Sequence, residues 1–243
     1  MSSSTSSLER LYPGNSEQAE RIAGNDTYQL HLERYRFAGE HLAPGLIGDI
    51  ACGAGYGCHL LVTEYGDKIE TLTGVDNSAE AIKYAKEAYT HPLIDFQLFD
   101  AMEFRPTVPF STIISLETIE HLEKPAAFIA HMVAQLKTGG RFIASAPVTP
   151  SMDANPYHLQ DFTPRTFKKL FTAAGLVELQ SMMQIQPYKP FKLFGKKKGR
   201  VEHLRKGLAG YYLKHPGKFW LRIRSLLTDG FTNKYLLVVF EKR

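Results

Sequence analysis

Four acidic residues close four apolar runs in this chain. Asp49 lies inside Ile47-Gly48-Asp49-Ile50-Ala51-Cys52-Gly53-Ala54-Gly55-Tyr56-Gly57, and Asp76 ends the run at Val75-Asp76. Asp100 follows Phe96-Gln97-Leu98-Phe99, and Glu117 follows Ile113-Ile114-Ser115-Leu116. A carboxylate offers two acceptor oxygens and suits ligand hydroxyl and amino groups. The glycines at 53, 55 and 57 permit unusual dihedrals and leave room for a ligand against the main chain. Asp76 follows them by about 20 residues, the separation of a ribose-binding acid. A nucleotide-like cofactor is therefore expected. A second group lies beyond the fourth run, where Glu117, Glu120 and His121 stand at i, i+3 and i+4 and converge on one face of a helical turn. His158, in Asn155-Pro156-Tyr157-His158-Leu159-Gln160-Asp161-Phe162-Thr163, returns to the same corner. Carboxylates and imidazoles are the groups that take a proton from an acceptor.

The elements that position these residues follow from pattern. Residues 9–42 are mostly polar with helical spacing, with Tyr28, Leu32 and Tyr35 on one face, until Pro44-Gly45 opens the first strand. A helix is expected at 56–65. Asn77 with Glu80 three positions on reads as a capping box for a helix over 79–90. Another helix spans 125–136 and stops before Gly139-Gly140 and a strand at 141–147. Thr163-Pro164 starts a helix that ends at Gly175, with strands at 176–186 and 235–241. Alternating strands and helices imply a mostly parallel sheet covered on both faces.

Residues 30–176, with the closing strand at 235–241, resemble the class I S-adenosylmethionine (SAM)-dependent methyltransferases. NAD-binding folds compete, but their third glycine falls where this chain has Cys58. The resemblance implies a Rossmann-like α/β fold of seven strands in the order 3-2-1-4-5-7-6, with strand 7 antiparallel and helices on both faces. It gives Asp76 the ribose hydroxyls, with Asn77 beside it, and gives Asp100 the adenine amino group, with Ala101 and Met102 against the ring. Asp49, Cys52, Gly53 and Gly55 face the methionine part of SAM, and Arg34 pairs with its carboxylate; a solvated helix arginine is the other reading of Arg34. The Glu-x-x-Glu-His pattern with a distant His before Phe-Thr is similar to two metal-dependent groups. These are the small-RNA 3′-end 2′-O-methyltransferases and the ubiquinone-biosynthesis O-methyltransferases. That likeness implies a divalent ion (Mg²⁺, Mn²⁺ or Zn²⁺) on Glu117, Glu120, His121 and His158. Without a metal, His121 acts directly as the catalytic base beside Glu117, or hydrogen-bonds the loop.

Hydrophobic residues make up 44% of 243, ample for one large α/β domain over 9–243. No apolar run approaches the ~20 residues that span a bilayer. The Ser-rich start, 1–8, reads as a disordered lead-in without the features of a secretory signal. Two cysteines give no disulfide framework, and a reducing cytoplasm is expected. Between the last two strands, 188–234 reads as an inserted subdomain. Its 188–226 portion holds twelve bases and one acid, a net of +11 in a chain of +4, which leaves −7 elsewhere. Such asymmetry signals an anionic partner. Phe219, Trp220, Ile223, Leu226 and Leu227 share a helical spacing with Lys218, Arg222 and Arg224 largely apart from them. That pattern suits an anionic membrane surface or a basic lid packed on the sheet; nucleic acid ranks behind both, for want of a recognisable motif.

Glu33-Arg34-Tyr35-Arg36-Phe37-Ala38, taken with the glycine loop, is similar to methyltransferases of bacterial cell-surface polysaccharide clusters. The expected acceptor is a sugar hydroxyl of an envelope glycan or its lipid-linked precursor, at the inner membrane face. The alternatives are a lipophilic phenol such as a quinone precursor, an RNA 2′-hydroxyl, or a non-enzymatic SAM-binding module that recruits a partner.

Overall fold

A computed structural model describes Tyr12, residues 26–187 and residues 207–243. Strands β1 (Gly45–Ile50), β2 (Ile69–Asp76), β3 (Ile94–Leu98), β4 (Phe110–Leu116), β5 (Leu136–Pro147), β6 (Leu176–Pro187) and β7 (Thr232–Lys242) form one seven-stranded sheet. Their order is 3-2-1-4-5-7-6. The first five pair in parallel, and β7 runs antiparallel to both β5 and β6. This is the expected Rossmann-like α/β sheet. A parallel strand covered on both faces has no solvent side toward which to alternate. Accordingly β4 is buried from Phe110 through Ser115.

Helices lie on both faces. On one, α1 (Asp26–Glu40), α2 (Tyr56–Tyr65) and α3 (Ala79–Ala88) supply Phe37, Leu61 and Ile82 to a core that includes Ile47 and Leu72. On the other, α4 (Pro125–Ala134) and α5 (Pro164–Ala173) supply Phe128, Phe167 and Phe171, packed with Phe142 and Phe240. The Phe171 and Phe240 rings stack at 4.5 Å between centroids. Each such fully buried side chain contributes about 1.5–3 kcal/mol by leaving water.

Several boundaries differ from expectation, each for a local reason. Helix α3 is capped by Ser78, whose side chain accepts from Ala81 N at 3.3 Å, and not by Asn77, which is exposed. Asp76 Oδ1 holds the Ser78 N–H at 2.8 Å and so carries the turn one residue further. β5 begins at Leu136 and absorbs Gly139-Gly140, with a register shift against β4. β3 stops at Leu98, two residues before Asp100. Thr163 forms the expected helix start, in a capping box with Thr166. The expectations for 1–8 and for the 188–206 part of the insert lie outside the described residues. Residues 207–231 add α6 (Leu208–Lys214) and α7 (Pro216–Asp229) before β7.

Candidate functional site

The strand order reverses between β1 and β4. Open α/β sheets bind ligands beyond the carboxyl ends of the strands at such a reversal. The residues just past these two strands, Ala51 and Glu117, are the non-glycine positions with positive φ among the described residues, at 65° and 51°. Backbone of this kind costs about 1–3 kcal/mol per residue unless its surroundings fix it. Here they do. The Ala51 and Cys52 N–H groups both donate to Val75 O, at 2.8 and 3.0 Å. The Glu117 N–H donates to Ser145 O at 3.2 Å and to Ser145 Oγ at 3.1 Å.

The glycines divide their work. Gly53 has φ 58°, and a Cβ placed there would meet nothing within 4 Å, so the space above the loop is open. A Cβ on Gly55 would lie 2.7 Å from Ala85 and Phe96, and one on Gly57 would lie 2.0 Å from the Tyr35 ring. Those two let α2 approach its neighbours closely. Cys52 is buried beneath the loop, as a small apolar residue would be.

Asp76 is buried at the tip of β2. Its Oδ2 accepts from Gly53 N at 2.9 Å and its Oδ1 from Ser78 N at 2.8 Å. A carboxylate oxygen has more than one lone pair, so a backbone bond does not by itself bar it from a ribose hydroxyl. Asp49, 1% exposed, accepts from Tyr35 Oη at 3.1 Å and Cys58 Sγ at 3.2 Å on Oδ2, while its Oδ1 has no hydrogen-bond partner. Burial pushes its carboxyl up to about 6, against the downward pull of the Cys58 and Tyr35 bonds. A buried oxygen without a donor marks a place where a ligand donor fits. Asp100 is exposed and turns its chain by accepting from Met102 N at 2.8 Å; Ala101 is half-buried and Met102 exposed. The β3 tip is tied to the β2 tip through Phe99 N and Asp76 O at 3.1 Å.

The second group forms where expected but with three members. One ligand atom from each of Glu120, His121 and His158 lies within 4.8 Å of the others. Glu120 and His121 sit in a 3-10 turn, Ile119–His121, and not in an α-helical turn. Glu120 O accepts from Leu159 N at 2.7 Å and Gln160 N at 3.1 Å, which brings the distant histidine alongside. The His121 and His158 rings meet edge to face at 4.8 Å. His121 Nδ1 lies 3.2 Å from Tyr157 O, which can only accept, so Nδ1 carries a proton. Burial, then the neighbouring His121, pushes His158 down to about 4, which keeps it neutral and able to ligate.

Glu117 stands outside that trio. Ser145 Oγ donates to its Oε1 at 2.7 Å, and Arg34 Nη1 lies 3.5 Å from its Oε2. Arg34 is buried, not solvated. It donates from Nε to Gln184 Oε1 at 2.8 Å and lies 4.1 Å over the Tyr235 ring, while its buried Nη1 has no hydrogen-bond partner. Ser145 and Gln184 carry no local motif. They reach the site through register, Ser145 opposite Leu116 and Gln184 opposite Tyr235.

Two bases of the insert also turn inward. Arg222 Nε donates to Asp153 Oδ2 at 2.8 Å, and Lys218 Nζ donates to Asp161 Oδ2 at 2.7 Å. On the outer side of the helix pair Leu213, Trp220 and Leu227 are 85%, 66% and 83% exposed.

A model of the methyltransferase domain matches residues 47–202, more than half of the chain. The chain belongs to the methyltransferase-domain family. Among its relatives, a "Probable S-adenosylmethionine-dependent methyltransferase" of Mycolicibacterium smegmatis is 25% identical over 174 residues, 69% of this chain and 63% of the relative. A ubiquinone biosynthesis O-methyltransferase of Rhodopseudomonas palustris is 33% identical over 99 residues, 40% of this chain and 37% of the relative. The chain thus spans less than two thirds of either relative. Among solved structures, the N-methyltransferase NodS of Bradyrhizobium japonicum, in complex with S-adenosyl-l-homocysteine, aligns at a TM-score of 0.61 and 17% identity over 99% of both chains. YcgJ of Bacillus subtilis aligns at 0.63 and 19% identity, over 88% of this methyltransferase-domain chain and 99% of its own. At such identities the likeness shows the fold.

Proposed function

We propose that the protein transfers the methyl group of SAM to a hydroxyl oxygen held at Glu120, His121 and His158. The observation that carries this reading is the convergence of those three side chains beyond the strand tips that carry Asp49, Asp76 and the Gly53 loop, where a Cβ on Gly53 would meet nothing within 4 Å. Family membership and the SAM-dependent relatives support the donor. Asp76 holds the ribose, Asp100 with Ala101 and Met102 holds the adenine end, and the methionine ammonium supplies the donor that Asp49 Oδ1 lacks. The sulfonium supplies an activated methyl group when SAM is bound.

The protein's own part is to hold the acceptor in line and to take its proton. With Nδ1–H on Tyr157 O, His121 presents Nε2 toward an acceptor hydroxyl. Glu117, fixed by Ser145 and paired with Arg34, holds the turn that leads into Glu120 and His121. One carboxylate and two imidazoles also fit a divalent ion, Mn²⁺ and Zn²⁺ better than Mg²⁺. Such an ion, when bound by Glu120, His121 and His158, polarises the acceptor oxygen and eases its deprotonation.

For the acceptor, the first reading is a sugar hydroxyl on a lipid-linked or envelope glycan, made at the inner face of the membrane. The exposed Leu213, Trp220 and Leu227 support a bilayer partner, since Trp favours the headgroup region. No helix among the described residues is long and apolar enough to cross a membrane. The second reading, a lipophilic phenol, rests on likeness to ubiquinone biosynthesis O-methyltransferases.

One experiment separates these readings. Purified protein and methyl-labelled SAM are incubated with fractionated glycan, lipid and RNA, with and without EDTA. Label in the glycan or lipid fraction that falls on chelation and returns with Mn²⁺ supports the account. Undiminished transfer under chelation removes the metal and leaves His121 as base, and label confined to RNA overturns both acceptor readings.

A further inference from the structure

The two inward bases of α7 do more than close the insert onto the domain. Both reach one loop, residues 150–161, which carries His158. Asp161 Oδ1 accepts from the N–H groups of Ser151 at 2.8 Å and Met152 at 3.0 Å, while its Oδ2 takes Lys218. Asp153, 2% exposed, accepts from Arg222 through Nε and Nη2 and from Tyr212 Oη of α6, and Arg222 Nη2 also donates to Pro150 O at 2.7 Å. A buried carboxylate costs several kcal/mol unless paired in this way. Between the two anchors, Ser151 Oγ lies 2.7 Å from His158 Nδ1.

We propose that α7 is a positioning element for the acceptor corner: Lys218 and Arg222 hold the loop so that Ser151 accepts from His158 Nδ1–H and turns Nε2 toward Glu120 and His121. In metal and acid–base sites the partner of the second ring nitrogen fixes tautomer and ring orientation. Arg222 suits the task because its planar fork reaches both Asp153 oxygens and the Pro150 carbonyl from two separate nitrogens, whereas a lysine ammonium offers its donors from a single point. The inserted segment is thereby coupled to the chemistry, although none of its residues belongs to the trio. Lys218 and Arg222 are positioning residues that act through Asp161, Asp153 and Ser151.

The consequence for turnover rests on the acceptor-corner reading above; the geometric claim does not. It is tested by ¹⁵N NMR of histidine side chains in the full-length protein, with the His158 signals assigned by their loss in His158→Gln. His41, whose Nδ1 lies 2.8 Å from Phe37 O on the far side of the domain, reports that the fold is intact. The expected wild-type pattern is a single Nδ1–H tautomer for His158. Arg222→Met or Lys218→Met converts it to a tautomer mixture with His41 unchanged, and Arg222→Lys restores part of it. Methyl transfer should fall about tenfold or more in Arg222→Met, as for other partners of ligating histidines. If Arg222→Met loses the His41 signature, Lys218→Met decides. An unaltered His158 pattern in a folded variant, or a wild-type Nε2–H tautomer, overturns the proposal. Scrambled tautomers with full methyl transfer leave α7 as a positioning element and overturn the acceptor-corner reading instead.

Discussion

Replacing Asp49 with Asn removes a charge while keeping the shape of the side chain under the glycine loop. The wild-type carboxyl is 1% exposed and burial pushes it up to about 6. An aspartate in the unfolded chain titrates near 3.9, and a gap of about two units corresponds to about 3 kcal/mol. Because the folded value lies above the unfolded one, the native state binds the extra proton. Wild-type stability therefore falls as pH rises from about 4 to about 6 and then levels off. Two histidines run the other way. Burial pushes His31 down to about 3 and His158 down to about 4, so their contributions to stability grow as pH rises toward about 6.5. A melt of the wild type alone mixes these effects, and the difference from Asp49→Asn isolates one. Urea denaturation should show the Asn variant gaining about 3 kcal/mol relative to wild type between about pH 4 and about pH 7. Calorimetry should show wild-type affinity for SAM rising through about pH 6, where the carboxylate forms opposite the ligand ammonium, and no such rise in the variant. A stability difference flat with pH would refute the reasoning about a desolvated, ionising Asp49.

Three further outcomes are expected. Asp76→Ala removes both ribose acceptors and should raise the calorimetric Kd for SAM by more than about a hundredfold, about 3 kcal/mol for two charge-assisted bonds; normal affinity would remove Asp76 from the ribose site. Gly57→Ala places a Cβ 2.0 Å from the Tyr35 ring and should cost about 1–3 kcal/mol in denaturant, with Tyr35 displaced from Asp49; a neutral substitution would show that α2 can shift freely. In liposome flotation, wild-type protein should float with anionic vesicles and Trp220→Ser/Leu227→Ser should float less; equal flotation would leave the exposed side of α7 without a membrane role.

The sheet was legible because its signals are local and redundant. Four apolar runs each end in an acid, glycines follow the first, and Thr163-Pro164 announces α5. Errors arose where one hydrogen bond moved a boundary. Asp76 took the Ser78 N–H and shifted the α3 cap off Asn77, and the β4–β5 register shift let Gly139-Gly140 lie inside β5. The candidate corner was visible as residue types, but its membership was not. Glu117 shares the spacing of Glu120 and His121, yet positive φ, Ser145 and Arg34 draw it out of the trio. Nothing in the local sequence announces Ser145 or Gln184, whose places follow from strand register. The insert's bases read as one charged run, although two of them, Lys218 and Arg222, answer acids more than fifty residues earlier.

The central claim is that a SAM crevice and a separate acceptor corner work together, and His121→Ala tests it most directly. SAM affinity by calorimetry and transfer of labelled methyl are measured on the same preparation. The account predicts SAM binding within about twofold of wild type and transfer lowered by about a hundredfold or more, the range for loss of a proton-transfer group. Full transfer without His121, or transfer and SAM binding lost together in a folded variant, would contradict it.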